Sequence, residues 1–122
     1  MGKFVIRKTA TGFKFDLKAA NGQTVATSEV YETEAACRRG AESVRKNAQA
    51  AKLEDQTAGD TQTVTNPKFE LFQDKAGDYR FRLKARNGEI IAASEGYTTK
   101  ASCLNGIESV RKNAPIAEVA EE

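Results

Sequence analysis

The chain of 122 residues has no histidine and no tryptophan, and it has only two cysteines, two prolines and one methionine. Without histidine, it cannot build a Ser-His-Asp or Cys-His nucleophilic site or a histidine-bearing zinc site. No run approaches the roughly 20 apolar residues that a membrane-spanning helix requires. The glycine-rich phosphate loops GxGxxG and GxxxxGK do not occur. These absences exclude most classes of enzyme and select no function in their place.

Targeting and cofactor signals are also missing from the sequence. The apolar patch at residues 4–6 is too short for a secretory signal, whose apolar region spans roughly 7–15 residues. Ile6 stands where a myristoylation motif requires Ser or Thr. Cys37 and Cys103 are too few and too far apart for a disulfide framework or a zinc cluster. We therefore expect a cytoplasmic protein with no cofactor and no membrane partner.

The composition that is present is that of a globular domain. Hydrophobic residues make up 39% of the chain and charged residues 30%, which argues against disorder. The formal net charge is +2, which is far below the basic excess of a dedicated nucleic-acid binder. Composition therefore predicts one compact domain and leaves its partner open.

An internal repeat is the strongest signal in the sequence. Residues 13–48 align with residues 79–114 at a constant offset of 66, and 21 of the 36 aligned positions carry the same residue. We predict one pseudo-two-fold domain over residues 1–122, in which two repeats are joined by a polar linker that Pro67 closes. The predicted parts are repeat 1 at 1–57, the linker at 58–67 and repeat 2 at 68–122.

Each repeat is predicted to have the order β-β-β-α-β. Residues 13–19 and 79–85 alternate apolar with polar residues, which indicates strands with one buried face. Asn-Gly at 21–22 and 87–88 predicts two-residue type I′ hairpin turns, which place Leu17 opposite Ala26 and Lys18 opposite Val25. The predicted buried face consists of Phe15, Leu17, Ala19, Ala26, Phe81, Leu83, Ala85, Ile90 and Ala92.

A helix is predicted after the third strand of each repeat. Thr33 and Thr99 are placed to cap the two helices. The apolar stripe of each helix contains a glycine, Gly40 or Gly106, which predicts a close approach of the helix to the strands. Because one unit of about 60 residues buries little apolar surface, the two units should combine. The predicted fold is α+β, with two tandem β-β-β-α-β repeats forming one antiparallel sheet and both helices packed on one face.

Three segments resemble the YegP-like family, whose members are small bacterial and archaeal proteins of uncharacterised function. They are Asn-Gly-Glu-Ile-Ile at 87–91, Ser-Glu-Gly-Tyr at 94–97 and Asn-Gly-Ile-Glu-Ser-Val at 105–110. Repeat 1 departs from these segments, for example at Val30, which replaces Gly96. The resemblance covers both repeats and implies two β3-αβ units that form one sheet with exchanged C-terminal strands. It implies no catalytic or ligand-binding residues.

A basic stripe is predicted to project from the sheet face opposite the helices. Its members are Arg80, Arg82, Lys84 and Arg86, with Lys14 and Lys18 as partial equivalents in repeat 1. A solvated surface explains such a stripe, and an anionic partner such as nucleic acid is the alternative. Asp16 stands at the position equivalent to Arg82, and Phe72 is the one aromatic residue placed to stack on a base. RNA binding is therefore weakly supported. Phe72, Val25 and Ile91 predict an apolar contact spot on the same face.

Two repeated residue pairs are the candidates for chemistry. Cys37 and Cys103 lie on the apolar side of their helices, which favours buried thiols, with a redox-linked disulfide as the alternative. Ser-Glu-x-Tyr recurs at 28–31 and 94–97, which predicts tyrosine hydroxyls exposed at the junction of strand and helix. The leading hypothesis is a monomeric, non-enzymatic binding module whose partner is a protein or an anion. The alternative is a small hydrolase or redox protein that uses the Glu/Tyr or Cys pairs.

Overall fold

The computed structural model describes residues 2–57, 59 and 62–121, so residues 58, 60 and 61 of the predicted linker lie outside it. Two α-helices follow the third and seventh strands in chain order, α1 at Glu34–Asn47 and α2 at Lys100–Asn113, and a 3-10 turn at Ala114–Ile116 follows α2. The strands are β1 (Lys3–Lys8), β2 (Phe13–Lys18), β3 (Thr24–Thr27), β4 (Lys52–Asp55), β5 (Lys68–Gln73), β6 (Tyr79–Lys84), β7 (Ile90–Ala93) and β8 (Glu118–Glu121).

The strands form one mixed sheet of eight strands in the order β4-β5-β6-β7-β3-β2-β1-β8. The two outermost pairs, β4 with β5 and β8 with β1, are parallel, and the other pairs are antiparallel. The prediction of an antiparallel sheet is therefore wrong at both edges. A parallel pair needs a connection of about a dozen residues, which residues 56–67 supply between β4 and β5. The last strand of each repeat accordingly pairs with the first strand of the other.

The hairpin turns differ from the predicted type I′. Gly22 has a φ of 85°, but no residue other than glycine has a positive φ in the described chain, so Asn21 is not left-handed. The backbone N–H of Gly22 donates to the carbonyl of Ala19, and the N–H of Ala19 donates to the carbonyl of Gln23. This is a three-residue loop with a glycine bulge, which requires only one left-handed residue. Asn-Gly at 87–88 forms the same loop.

The register of the hairpin shifts by one residue beside the turn. The three-residue loop places Lys18 opposite Thr24 instead of Val25, and a separate register shift between Leu17 and Lys18 then brings Leu17 opposite Ala26, as predicted. The same shift in repeat 2 places Lys84 opposite Ile90. Ile90, predicted to be in the core, is therefore half-buried at the sheet surface, because the extra residue reverses the alternation.

Both helices cover one side of the sheet and enclose a single core. Cys37 of α1 and Ile107 of α2 belong to the same buried cluster as Phe15, Phe81 and Leu83 of the strands. Because these strand residues point to one side, the two helices lie on that side, as predicted. The opposite side of the sheet carries the candidate site.

The helix starts and the helix glycines also match their predictions. The Thr33 hydroxyl accepts a hydrogen bond from the Ala36 N–H at 3.1 Å, and Thr99 caps α2 in the same way. A Cβ atom at Gly106 would lie 2.5 Å from the hydroxyl oxygen of Tyr97, so the helix approaches the strands closely there. The hydroxyl therefore packs against α2, and the prediction that it is exposed is wrong.

Candidate binding face

The outer face is the side of the sheet away from the helices. Because side chains alternate along a strand, the neighbours of the core residues point to this side. Nine basic and four acidic side chains of the strands do so, a difference of +5, whereas the whole chain has 19 − 17 = +2. Glu29 and Glu95, which follow β3 and β7 and line the depressions described below, lower this difference to +3. The charged strand residues of the outer face are Lys3, Arg7, Lys14, Asp16, Lys18, Lys52, Glu54, Lys68, Glu70, Arg80, Arg82, Lys84 and Glu118.

The predicted basic stripe lies on this face, but its repeat 1 and repeat 2 members differ in whether a carboxylate pairs with them. Arg80 bonds to Asp74 through a contact of 2.6 Å, and Arg82 bonds to Glu70 at 2.5 Å. Within the described residues, no ion pair joins Lys14 to a carboxylate, and the same holds for Lys18. Lys84 lies 3.4 Å from Glu70, and Arg86 is exposed in the turn after β6. The repeat 2 cations are thus largely neutralised, while Lys14 and Lys18 are available to an external anion.

A buried ionic cluster occupies the β4–β5 corner of the outer face. Lys68 Nζ lies 2.8 Å from Glu54 and 3.3 Å from Glu70, and all three residues are less than 9% exposed. The N–H of Val64 donates to Glu54 at 3.0 Å, so the inter-repeat linker packs over this corner. Hydrogen bonds from Lys68, Gln56 and Val64 lower the pKa of Glu54 to about 2. Burial alone would raise the pKa of Glu70, but Arg82 and Lys68 hold it below its ordinary value.

Sequence analysis missed this cluster, although one local signal was present. Glu70 occupies an outward position between Lys68 and Phe72 and is flanked in the strand by the buried Phe69 and Leu71. The equivalent of Glu54 in repeat 2 is Ala120 and that of Glu70 in repeat 1 is Val5, so the β8–β1 corner does not repeat the cluster. Its partners come from β4, β5 and β6, which no local pattern brings together.

Two depressions lie side by side at the centre of the outer face. They share Thr27 and Ala93, which pair directly across the central strands β3 and β7 and whose small side chains leave the space open. The first, of about 280 Å³, is lined by Arg7, Lys14, Asp16, Thr24, Val25 and Glu95. The second, of about 260 Å³, is lined by Glu29, Phe72, Arg80, Arg82, Ile90 and Ser94. The two are equivalent under the 66-residue offset, and the second has the aromatic and aliphatic lining.

A stacked pair of side chains forms one wall of the second depression. The guanidinium carbon of Arg82 lies 4.5 Å from the centroid of the Phe72 ring. Glu70, whose side chain is 4% exposed, holds the guanidinium through Nε. A charged, hydrogen-bonded guanidinium on an aromatic face is a rigid planar surface.

The family model described as a domain of unknown function, DUF1508, matches residues 9–55 and again residues 74–121. The chain belongs to the DUF1508 family. A UPF0339 protein of Pseudomonas aeruginosa is 34% identical over 121 residues, which cover 98% of this chain and 96% of that protein. A UPF0339 protein of Treponema denticola is 65% identical over 54 residues, 44% of this chain and 93% of the relative, which is therefore about one repeat long.

Two solved structures have the same fold as this DUF1508 protein. The solution NMR structure of the protein of unknown function yegP from E. coli has a TM-score of 0.79 and 31% identity, and the match covers 99% of this chain and 92% of that one. A UPF0339 protein of Shewanella oneidensis has a TM-score of 0.79 and 30% identity, with coverage of 98% and 90%. The resemblance to the YegP-like family is confirmed.

The predicted apolar residues of the DUF1508 protein do not form one patch. Val25 and Ile91 are 8% and 5% exposed and contact the core. Val25 lines the first depression and Phe72 the second, where Arg82 covers its ring. Of these three residues, Phe72 is the one whose position suits a ligand contact.

The structure buries the cysteine pair and places the glutamate and tyrosine of Ser-Glu-x-Tyr on different sides of the sheet. Cys37 and Cys103 are free thiols with no exposed surface, and burial raises the pKa of Cys103 to about 11. Glu29 lines the outer depression, whereas the Tyr31 hydroxyl packs against Gly40 on the helix side. In residues 2–57, 59 and 62–121 there is no group of three or more His, Cys, Asp or Glu residues placed to hold a metal ion, and no helix long and apolar enough to cross a membrane.

Proposed function

We propose that this DUF1508 protein is a monomeric, non-enzymatic binding module of the cytoplasm, which holds an anionic, extended partner on its outer face. One observation carries the proposal: the outward side chains of the strands have a charge of +5, against +2 for the whole chain. Such a separation of charge attracts and orients a partner of opposite sign.

The shape of the outer face supports the same proposal. The helices and the core occupy the other side of the sheet, so the central strands offer their outward side chains to a partner. The two depressions share Thr27 and Ala93 and therefore lie next to each other at the centre of the sheet. An extended chain can occupy two adjoining depressions, whereas a compact ligand fits only one.

Binding is favoured over a hydrolase or redox function because the candidate reactive groups are inaccessible or separated. A thiol whose pKa is raised by burial is a poor nucleophile at neutral pH. Glu29 and Tyr31 face opposite sides of the sheet, so they do not converge on one substrate. Acid–base catalysis needs both groups within hydrogen-bond reach of the same reacting atoms.

Charge reversal on the two faces tests the proposal. The double variant Lys14→Glu/Lys18→Glu removes unpaired cations from the outer face, and Arg39→Glu/Lys46→Glu makes the same change of charge on exposed positions of α1. Binding of sodium polyphosphate is measured by calorimetry in about 50 mM salt, and thermal unfolding verifies that each variant is folded. We expect the outer-face variant to bind at least about tenfold more weakly and the helix variant to bind nearly as the wild type does.

Equal losses in the two double variants would show that polyphosphate responds only to total charge, and this result would overturn the proposed contact face. Absence of binding by the wild type at low salt would overturn the proposal of an anionic partner.

A further inference from the structure

We infer that the anionic partner is single-stranded nucleic acid, one base of which stacks on the Arg82–Phe72 pair in the second depression. The inference rests on the proposed function and adds the chemical class of the partner. It depends on the geometry of Arg82, on the polar groups beside it and on the cations of the first depression.

The Arg82 guanidinium is a planar surface that is already fixed in the unbound protein. One side of it lies over the Phe72 ring, at 4.5 Å from the ring centroid, and its Nε atom is held by Glu70 at 2.5 Å. The side chain is 31% exposed and lines the depression. Aromatic rings and guanidinium planes are the surfaces on which proteins stack unpaired bases.

The rim of the second depression carries both donors and acceptors for a base. The Nε atom of Arg80 bonds to Asp74, and its Nη1 atom donates to the Ser94 carbonyl at 3.5 Å. These two contacts hold the guanidinium at the rim, and its remaining N–H groups can donate to a base. The exposed carboxylate of Glu29 accepts hydrogen bonds, as an exocyclic amine of a base requires. Ile90 and Ala93 provide an apolar floor.

The first depression provides cations for the adjoining phosphates. Arg7 and Lys14 lie directly opposite each other on β1 and β2, and like charges in such a pair repel unless an anion lies between them. Asp16 bonds to Arg7 and the carboxylate of Glu95 also lines this depression, while Lys14 has no ion pair among the residues that the structure describes. Lysine is well suited to phosphate, which it binds as a point charge. A nucleic-acid strand that runs from Arg82 on β6 over Thr27 to Lys14 on β2 crosses three spacings between neighbouring β-strands, about 14 Å.

These features favour single-stranded nucleic acid over the other polyanions. Bases inside a duplex are paired and stacked, so they cannot enter the depression. An acidic peptide would use the cations but leave the Arg82–Phe72 surface without a planar partner. The repeat 1 equivalents of Phe72 and Arg82 are Arg7 and Asp16, which form an ion pair and are not aromatic. The second depression therefore offers a surface on which a base can stack, and the first offers cations for phosphates.

The test compares four polyanions on the intact protein: a fluorescein-labelled single-stranded oligonucleotide of mixed sequence, its duplex, polyphosphate and poly-aspartate. Binding of the labelled single strand is measured by fluorescence anisotropy in about 50 mM salt. The duplex, polyphosphate and poly-aspartate are then added as unlabelled competitors. Arg82→Lys keeps the charge and loses the plane, and Phe72→Leu keeps the apolar contact and loses the ring. Arg39→Lys is the matched control, because it makes the arginine-to-lysine change at an exposed position of α1, outside both depressions. Thermal unfolding verifies that all variants are folded.

We expect the single strand to bind more tightly than polyphosphate of equal charge. We expect Arg82→Lys and Phe72→Leu each to weaken single-strand binding about 5- to 100-fold, since stacking on one base contributes on this scale. Polyphosphate binding should not change in these variants, and Arg39→Lys should change single-strand binding less than about threefold.

Three results would overturn the inference. Equal binding of single strand and polyphosphate, with no effect of Arg82→Lys or Phe72→Leu, would leave the proposed function intact and remove the base platform. Stronger competition by poly-aspartate would identify an acidic protein as the partner, and stronger competition by the duplex would exclude base stacking. Failure of all four polyanions to bind would overturn the proposed function as well.

Discussion

Replacing Gly106 by alanine tests how closely α2 packs on the sheet. The new Cβ atom would lie 2.5 Å from the Tyr97 hydroxyl oxygen and 3.0 Å from Cε2 of Phe81. The Tyr97 ring is half-buried and stacked on Phe81, with a centroid distance of 6.5 Å, so it has little room to move. Overpacking of this kind costs about 1–3 kcal/mol, and the higher helix propensity of alanine offsets about 1 kcal/mol. We expect a net loss of about 1 kcal/mol in the free energy of unfolding.

A double-mutant cycle separates the overlap from the other effects. Tyr97→Phe removes the hydroxyl, after which the nearest distances to the new Cβ atom are 3.0 Å, so Gly106→Ala should become nearly neutral in that background. Tyr31→Phe makes the same change in repeat 1, where the hydroxyl packs against Gly40, and serves as the control. Urea unfolding followed by circular dichroism gives the four free energies for each cycle. The reasoning is wrong if Gly106→Ala stabilises the protein, or if Tyr97→Phe and Tyr31→Phe have the same effect on it.

Two further predictions concern ionisable groups. The pKa of Glu54 is about 2 in the folded protein against an ordinary 4.5, so its stabilising effect is complete above pH 5 and disappears as the pH falls towards 2. Glu54→Gln should therefore lower the free energy of unfolding by about 1–3 kcal/mol at pH 7, and this difference from the wild type should shrink in acid. Urea unfolding measures the difference. The control is Glu118→Gln at an exposed position, for which we expect a small effect. The thiol of Cys103, with a pKa of about 11, should react with iodoacetamide at pH 8 about one hundredfold more slowly in the native protein than in urea. Equal rates in the two conditions would show that this thiol is accessible.

The two repeats differ at several positions of the outer face. Val5 replaces Glu70, Ala120 replaces Glu54 and Asp16 replaces Arg82, although the core residues opposite them are nearly unchanged. Core positions are constrained by packing against both helices, whereas outward positions are constrained only by their neighbours on the surface. Duplication within one chain therefore allows the halves of the outer face to specialise while the core keeps its symmetry.

Local features of the fold could be predicted because each depends on a few neighbouring residues. Alternation in β2 and β6 and the caps at Thr33 and Thr99 follow from side-chain period and hydrogen-bonding capacity. The type of the turn could not be predicted with the same rule, because Asn-Gly suits both a two-residue loop and a three-residue loop with a bulge.

By itself, the amino-acid sequence determined the elements, the duplicated unit and the faces that β2 and β6 bury. Only the tertiary structure decided that the last strand of each repeat pairs in parallel with the other repeat, that Glu54 and Glu70 enclose Lys68, and that Arg82 lies over Phe72. These contacts join residues of different strands, which no single local sequence pattern brings together. Other residues of the same types could have formed similar contacts. Their geometry is fixed by the packing of all eight strands against two helices, and periodicity within a single segment contains no information about it.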